Sequence, residues 1–518
     1  MNKKTHLRRF HEASWDEPII FELSEPGRRG VALPEVEPEI LQATGGIDAL
    51  LPPSLKRKKA PALPEVAQPQ VLRHFLRLSQ ETIGASLDVD MGRGTCTMKY
   101  NPVINETFAR SDKMTELHPY QDERTVQGML KILYDTCEYL KAISGLDAFC
   151  LHPAAGTQAI YSNAAVVRAY HEANGEGEQR NEIITTIFSH PGNAGAPAAL
   201  GYKLITLYPN EDGYVEYDDL KAVVSERTAA LFITNPEDTG IFNPRIKDFV
   251  DLVHSYGGLC VYDQANLNGV MGLTRAKEAG FDLCQFNLHK TFSAPHGSQG
   301  PGCGAQGASE KVKPFLPTPL VEFDGEKYYL DYDRPQSIGK IGKYYGVPEV
   351  ALKTYAYIRT LGGEGLRDAA LYSILNNNYL LSKFSKIRGV TIPYSPPRLE
   401  QVRYSWEALK EDTGIGTDAM RRRCIDFGVQ DYFTSHHPWV VPEPFTVEPC
   451  ETFSKEDIDE FTAVFEEISR EAYEEPETVL TAPHNCAIKQ VLPFDVNDYD
   501  FFANTWRVYC RKQKERNG

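Results

Sequence analysis

Between about residues 125 and 340 the chain alternates two hydrophobic patterns. Segment 127–144 (QGMLKILYDTCEYLKAIS) sets Met129, Leu130, Ile132, Leu133, Cys137 and Leu140 at helical intervals, which predicts an amphipathic helix. Short apolar runs follow at 182–187, 204–207, 229–234 and 259–262. Runs of that length between helical stretches predict buried strands. Their alternation with helices implies βα units: an α/β fold with a mainly parallel, doubly wound sheet and helices on both faces.

We place this large domain at residues 81–345. The first eighty residues are patterned differently, with proline- and charge-rich stretches at 24–30 (SEPGRRG) and 52–61 (PPSLKRKKAP) that cannot form a core unaided. Interspersed Ile19, Ile20, Phe21, Leu23 and Leu33 suit an extended N-terminal arm, 1–80, that docks on a partner or on another part of the chain. Residues 346–518 read as a linker helix and a small C-terminal domain. There, Ser454 with Asp457 resembles a capping box at a helix start. His436, His437 and Trp439 are candidate site residues, although a small-domain loop packing on the large domain explains them equally well.

Composition narrows the function classes. The chain has 518 residues, 42% hydrophobic and 24% charged, with a formal charge of −16, which fits a globular protein of two or more domains. That charge argues against nucleic-acid or anionic-membrane partners. No apolar run approaches a membrane span and the first ten residues lack a secretory core, so a cytoplasmic location is expected. Ten cysteines without paired short spacing suggest reduced thiols rather than disulfides or a zinc site.

Candidate chemistry centres on NLHKTF at 287–292, which leads into a glycine-rich loop. A lysine so placed, Lys290, suits a carbonyl cofactor held as a Schiff base, and an amine does this where a shielded site leaves it partly unprotonated. Asp263 lies 27 residues upstream (290 − 263) at the end of an apolar run, the carboxyl end of a predicted parallel strand. A lysine for the aldehyde and an anion for the ring nitrogen are what pyridoxal phosphate asks of a protein. Gly156, Thr157 and Gln158 open a predicted helix whose free N–H groups suit a phosphate. His190, after another strand, suits ring stacking or proton transfer, and Thr234 with Asn235 ends the next strand, within reach of the cofactor's phenolic oxygen or the substrate. Each has a plainer explanation alone; their order within one α/β domain does not.

These residues resemble the glycine cleavage system P-protein family, glycine dehydrogenase (decarboxylating), and within it the C-terminal catalytic half found as a separate subunit 2. The likeness runs through 20–30 (IFELSEPGRRG), 77–80 (RLSQ), 94–102 (GTCTMKYNP), 117–121 (LHPYQ), 263–268, 287–292, 357–359 with 364–367, and 481–484 (TAPH). It implies an aspartate-aminotransferase-like, fold type I pyridoxal 5'-phosphate enzyme. Lys290 becomes the Schiff-base residue, Asp263 the partner of the pyridine nitrogen and His190 the stacking imidazole, with Lys290 and His190 catalytic. Gly156, Thr157, Gln158, Thr234, Asn235, Ala265 and His289 complete the cofactor-binding set. The implied reaction decarboxylates glycine and passes the aminomethyl group to the lipoyl arm of the H-protein. Implied partners are subunit 1, in a heterotetramer, and lipoylated H-protein.

The chain departs from the family pattern near the cofactor. Ser298 and Gln299 interrupt a usual glycine run, Gln264 stands where the family has glycine, 189–194 reads SHPGNA, and Ala305-Gln306 stands where the family has proline followed by an aliphatic residue. Gln264 is expected to add bulk in the site. A paralogous pyridoxal-phosphate enzyme acting on a different amino acid or acceptor is the alternative.

Overall fold

The structure is a computed structural model that describes residues 5–84, 87, 89, 91–92, 99–294, 302–490 and 505–517. Cys96, Ser298 and Gln299 lie outside the described residues, as does most of 94–102 and of the loop after Ala294. The chain divides into two compact units, one of Met1–Arg9 with Ala85–Leu480, the other of Phe10–Gly84 with Thr481–Gly518.

The first unit is built on a seven-stranded sheet in the order β1-β7-β6-β5-β4-β2-β3. Its strands are β1 (Ala148–Cys150), β2 (Glu182–Thr186), β3 (Lys203–Leu207), β4 (Thr228–Thr234), β5 (Leu259–Gln264), β6 (Leu283–Asn287) and β7 (Gly304–Ala308). Strands β3, β2, β4, β5 and β6 run parallel, and β7 is antiparallel to both β6 and β1. Alternate residues bury on opposite faces, as the two-residue period of a strand requires. Ile183, Ala230, Phe232, Val261 and Leu283 belong to one core cluster, while Ile184, Leu231, Ile233, Tyr262 and Phe286 belong to the other. Burial on both faces is why these strands read as continuous apolar runs.

β7 was not among the apolar runs, because its sequence is GAQGA. A Cβ on Gly304 would come 2.8 Å from Ala155 O and 2.9 Å from Ala159 Cβ, so glycine here lets the helix Gly156–Ala173 lie close against the sheet.

The same unit carries the long helix Pro348–Phe384, broken at Gly362 (φ 65°, ψ −178°), and a smaller lobe. That lobe pairs β10 (Val402–Ser405) with β11 (Pro444–Val447), numbered after the hairpin β8 (Leu320–Phe323) and β9 (Tyr328–Asp331). Its core is aromatic: Trp406 stacks on Phe445 at 4.9 Å, and Phe384, Tyr404, Phe461 and Phe465 pack around them. The helix Lys455–Glu474 begins with the expected capping box, Asp457 N donating to Ser454 Oγ at 3.1 Å and Ser454 N to Asp457 Oδ2 at 2.8 Å. A buried guanidinium, Arg423, bridges Glu471 in bidentate fashion at 2.7 Å and Asp426 at 2.7 Å.

In the second unit the N-terminal stretch pairs with the C-terminal one. Phe21 stacks on Trp506 at 5.0 Å, Tyr509 Oη donates to Glu22 Oε1 at 2.7 Å, and Ala487 N donates to Glu12 Oε2 at 2.7 Å. Of the apolar residues interspersed in the arm, Phe21 thus packs on the C-terminal stretch, whereas Leu33 is 84% exposed and Ile19 40%.

Candidate functional site

Register decides which polar side chains meet. Thr234 pairs with Asp263 across β4 and β5, and Asp263 with Gln285 across β5 and β6, which sets the three abreast at the carboxyl ends of parallel strands. Open α/β sheets bind ligands at that edge. A cavity of about 370 Å³ opens there, lined by Ala154, Ala155, Gly156, Thr157, His190, Thr234, Asp263, Ala265, His289 and Lys290 among others. A larger groove of about 940 Å³ runs along Tyr139, Phe242, Leu273 and Leu366, but among the described residues no lysine or histidine lines it.

The Asp263 carboxylate is 2% exposed and fully engaged. Asn193 Nδ2 donates to its Oδ2 at 2.7 Å, while Gln285 Nε2 at 2.5 Å and Ala265 N at 3.0 Å donate to its Oδ1. Lys290 is buried in the same wall, its backbone N–H donating to Asn287 O at 3.0 Å in the turn that follows β6. His289 lines the cavity beside it, Nδ1 accepting from Cys303 N at 3.0 Å.

His190 follows β2 and is fixed by Gly192 N, which donates to its Nδ1 at 2.9 Å, so the neutral ring carries its proton on Nε2. Burial pushes this imidazole below its ordinary value; Asp263 opposes the shift and Lys290 adds to it. A second imidazole, His436, stands edge-on to it with ring centroids 5.0 Å apart, and burial, helped by His190, pushes that one down to about 4. Two neutral imidazoles therefore flank the cavity near neutral pH.

The helix Gly156–Ala173 begins at the cavity without a side-chain cap at Ala155. Its first-turn N–H groups have no carbonyl one turn earlier to meet, which makes this end an anion site assisted by the helix dipole. Thr234 Oγ1 and Asn287 Oδ1 are buried and have no hydrogen-bond partner among the described residues. An amine, a carboxylate held by fixed donors, flanking imidazoles, an open helix N-terminus and unpaired polar atoms together fit the donor set that pyridoxal phosphate requires.

Two candidates from the sequence do not reach this cavity. Gln158 turns back on its own loop, Oε1 accepting from Ala154 N at 2.7 Å and Nε2 donating to Ile341 O at 2.5 Å. Asn235 is spent on the turn after β4, bonded both ways with Asn243 at 2.8 and 3.2 Å. Gln264 is buried but does not line the cavity, so its bulk falls behind the wall rather than in the site. Of the small-domain candidates, His436 lines the cavity while Trp439 is 67% exposed.

The sequence reading did not single out Asn193, Gln285, Asn287, Asp238, Glu400, Gln401 or Phe433. All but Asn193 line the cavity, and Asn193 holds Asp263 from behind. Asn266, quoted there only within a motif, lines it too and donates to Glu448 Oε1 at 2.7 Å. Burial, with Glu448 adding, holds the Glu400 carboxyl well above the usual carboxylate range.

The chain is similar to known proteins in sequence and in fold. Residues 155–317 match the aminotransferase class-V family. The chain is 43% identical over 512 residues, 98% of its own length and 99% of the relative's, to a probable glycine dehydrogenase (decarboxylating) subunit 2 of Pyrococcus abyssi. A protein of the same description from Halalkalibacterium halodurans is 41% identical over 476 residues, 91% of this chain and 95% of that one. Among solved structures, a glycine decarboxylase (P-protein) of the glycine cleavage system in inhibitor-bound form superposes with a TM-score of 0.71 at 19% identity, covering 85% of this chain and all of that one. A NifS-like protein superposes with a TM-score of 0.55 at 17% identity, covering 74% of this chain and 99% of that one.

Proposed function

The chain belongs to the glycine dehydrogenase (decarboxylating) subunit 2 family, and from that premise we propose how its cavity works. The protein is a pyridoxal-phosphate-dependent enzyme that decarboxylates glycine, with the aminomethyl group passing to the lipoyl arm of an H-protein. As a subunit 2 it acts with a partner subunit; a heterotetramer with subunit 1 is the assembly we propose.

When bound, pyridoxal phosphate supplies a protonated ring that takes up the electron pair left by departing carbon dioxide. Lys290 would anchor the aldehyde, and its burial keeps bulk water from the amine. Asp263 would face the ring nitrogen and hold the proton there, its carboxylate kept in place by Asn193, Gln285 and the Ala265 N–H. His190 would cover one face of the ring, its orientation set by the Gly192 N–H. The Gly156–Thr157 end of the helix would take the phosphate, and Thr234 Oγ1 would be a donor for the phenolic oxygen. Glu400, held neutral by burial, is able to donate a proton within the cavity.

The observation that carries this reading is the fixed Asp263 carboxylate in the same cavity wall as Lys290. Exchange of labelled bicarbonate into the carboxyl group of glycine, with subunit 1 and H-protein present, tests it. Exchange above background is expected; none at saturating cofactor overturns the glycine reading. Borohydride should trap the cofactor on Lys290, and trapping at any other residue overturns the site.

A further inference from the structure

Among the described residues, buried polar atoms without a partner occur in the segment after β4 and at the start of β10, where Asp238, Glu400 and Gln401 line the cavity and Thr239 and Arg403 lie close to them in the chain outside its lining. They include Asp238 Oδ1, Thr239 Oγ1, Glu400 Oε2, Gln401 Oε1 and Arg403 Nη1. Folded proteins leave few such atoms unpaired, because each costs free energy, so a run of them beside a cavity marks a surface that pairs with something bound.

Asp238 and Arg403 are the charged members. Arg403 is 1% exposed and Asp238 8%. Arg403 Nη2 donates to Asp238 Oδ2 at 2.9 Å and its Nε to Thr446 Oγ1 at 3.2 Å. One donor, Nη1, and one acceptor, Asp238 Oδ1, are left over on a single ion pair. Asp238 lines the cavity, and the guanidinium lies 5.9 Å from the ring centroid of Phe188, which lines it too.

The pair is neutral as a whole, and that selects its ligand. A carboxylate would gain Nη1 but meet the charge of Asp238; an ammonium would gain Oδ1 but meet Arg403. A carboxamide satisfies both without a net charge, its carbonyl accepting from Nη1 and its N–H donating to Oδ1. We propose that Asp238 and Arg403 form a carboxamide-binding subsite beside the cofactor position. Glycine carries no such group and leaves the subsite open. Two ligands would bring one: the amide that ties a lipoyl group to its carrier, which rests on the lipoyl reading above, or the side chain of an amide amino acid.

Calorimetric titration of the cofactor-loaded complex of both subunits tests this with four probes, lipoamide, lipoic acid, glutamine and glutamate. Lipoamide binding at least about tenfold tighter than lipoic acid (1.4 kcal/mol) supports the subsite and assigns it to the lipoyl arm. Glutamine binding at least about tenfold tighter than glutamate supports it and assigns it to an amide substrate. Equal or undetectable binding within both pairs overturns the proposal, and this comparison needs no variant. Arg403→Met, checked for an intact thermal transition, should erase the preference; a folded variant that keeps it also overturns the proposal. Bicarbonate exchange with glycine reads the earlier conclusion separately. Exchange without amide preference sinks only the subsite, and amide preference without exchange sinks only the glycine assignment.

Discussion

Adding one methyl group at residue 156 tests the phosphate side of the cavity. Gly156 opens the helix Gly156–Ala173, and a Cβ there would fall 2.4 Å from Asn287 Oδ1, 2.6 Å from its Nδ2 and 2.8 Å from its Cγ. These separations lie well inside van der Waals contact, so Asn287 must move. It is 7% exposed and its Oδ1 has no partner, so no bond to that oxygen resists displacement, and the open volume beside it is the cavity it lines. The clash is relieved by turning Asn287 into the space the cofactor needs. Overpacking of this kind costs about 1–3 kcal/mol, which expressed as lost affinity is about 5- to 150-fold in Kd. Alanine is a better helix former than glycine by up to about 1 kcal/mol, which offsets part of the cost in the apoprotein. Gly156→Ala is therefore expected to shift the melting temperature of the apoprotein by only a few degrees while weakening pyridoxal phosphate by that factor in an absorbance titration. An unchanged Kd would refute the placement of the cofactor against Gly156. A large fall in stability with an unchanged Kd would mean that the strain is relieved away from the cavity.

Other perturbations test separate parts of the structure. Asp263→Asn keeps the shape of the site but removes the charge behind the ring nitrogen, so bicarbonate exchange should fall by at least about 100-fold while cofactor is retained; exchange within a few-fold of wild type would remove Asp263 from the mechanism. Arg423→Met leaves the buried Glu471 and Asp426 without their shared cation, and urea unfolding should show a loss of about 3–5 kcal/mol. Glu237 gives a pH signature. Burial, opposed by the Thr186 hydroxyl and assisted by Asp238, pushes its carboxyl up to about 8 from an ordinary 4.5. Between those values the folded chain holds a proton that the unfolded chain has released, so the stability that the neutral carboxyl contributes is fully present below the ordinary value and is lost as pH rises through about 8. Glu237→Gln keeps an acceptor for Thr186 and stays neutral. It should therefore stabilise by an amount on the order of 3 kcal/mol at pH 7 and flatten the profile; parallel pH profiles for variant and wild type would show that Glu237 is charged in the fold.

Strands β4 and β5 and the residues that end them were legible because both faces of a parallel sheet are buried, which makes the strands conspicuous and leaves their polar termini exposed to inspection. Lys290, Asp263, His190, Thr234, Ala265, His289, Gly156 and Thr157 all line one cavity. Gln158 and Asn235 do not, although they sit one residue from members that do. Whether an amide at a strand or helix end turns to the cavity or to its own backbone depends on loop geometry, here the positions of Ile341 and Asn243. β7 was illegible for a different reason: Gly304 answers to the approach of a helix and Gly307 to Phe149 and Cys284 of the flanking strands, and neither carries a hydrophobic period. Glu400, Gln401 and His436 come from the small lobe, more than a hundred residues after Lys290, and no local pattern announces a contact made by folding at that range.

The amides around Asp263 bear on why this carboxylate suits its task. Its donors are two side-chain amides and one backbone N–H, all neutral. Neutral donors fix the position of a buried carboxylate and lower the cost of its charge without cancelling that charge, whereas a lysine or arginine in the same place would spend it on an ion pair. Gln285 reaches Oδ1 because the register sets residue 285 opposite 263, and Asn193 reaches Oδ2 from the short helix Gly192–Ala199 that begins just after His190. The negative charge that a pyridine nitrogen needs is thus kept available by sheet register on one side and by a helix start on the other, and the same turn that supplies Asn193 also holds His190 through the Gly192 N–H. Asp263 and His190, the proposed partner of the ring nitrogen and the proposed stacking imidazole, are both held by one segment, so a change in 190–193 is expected to disturb both together.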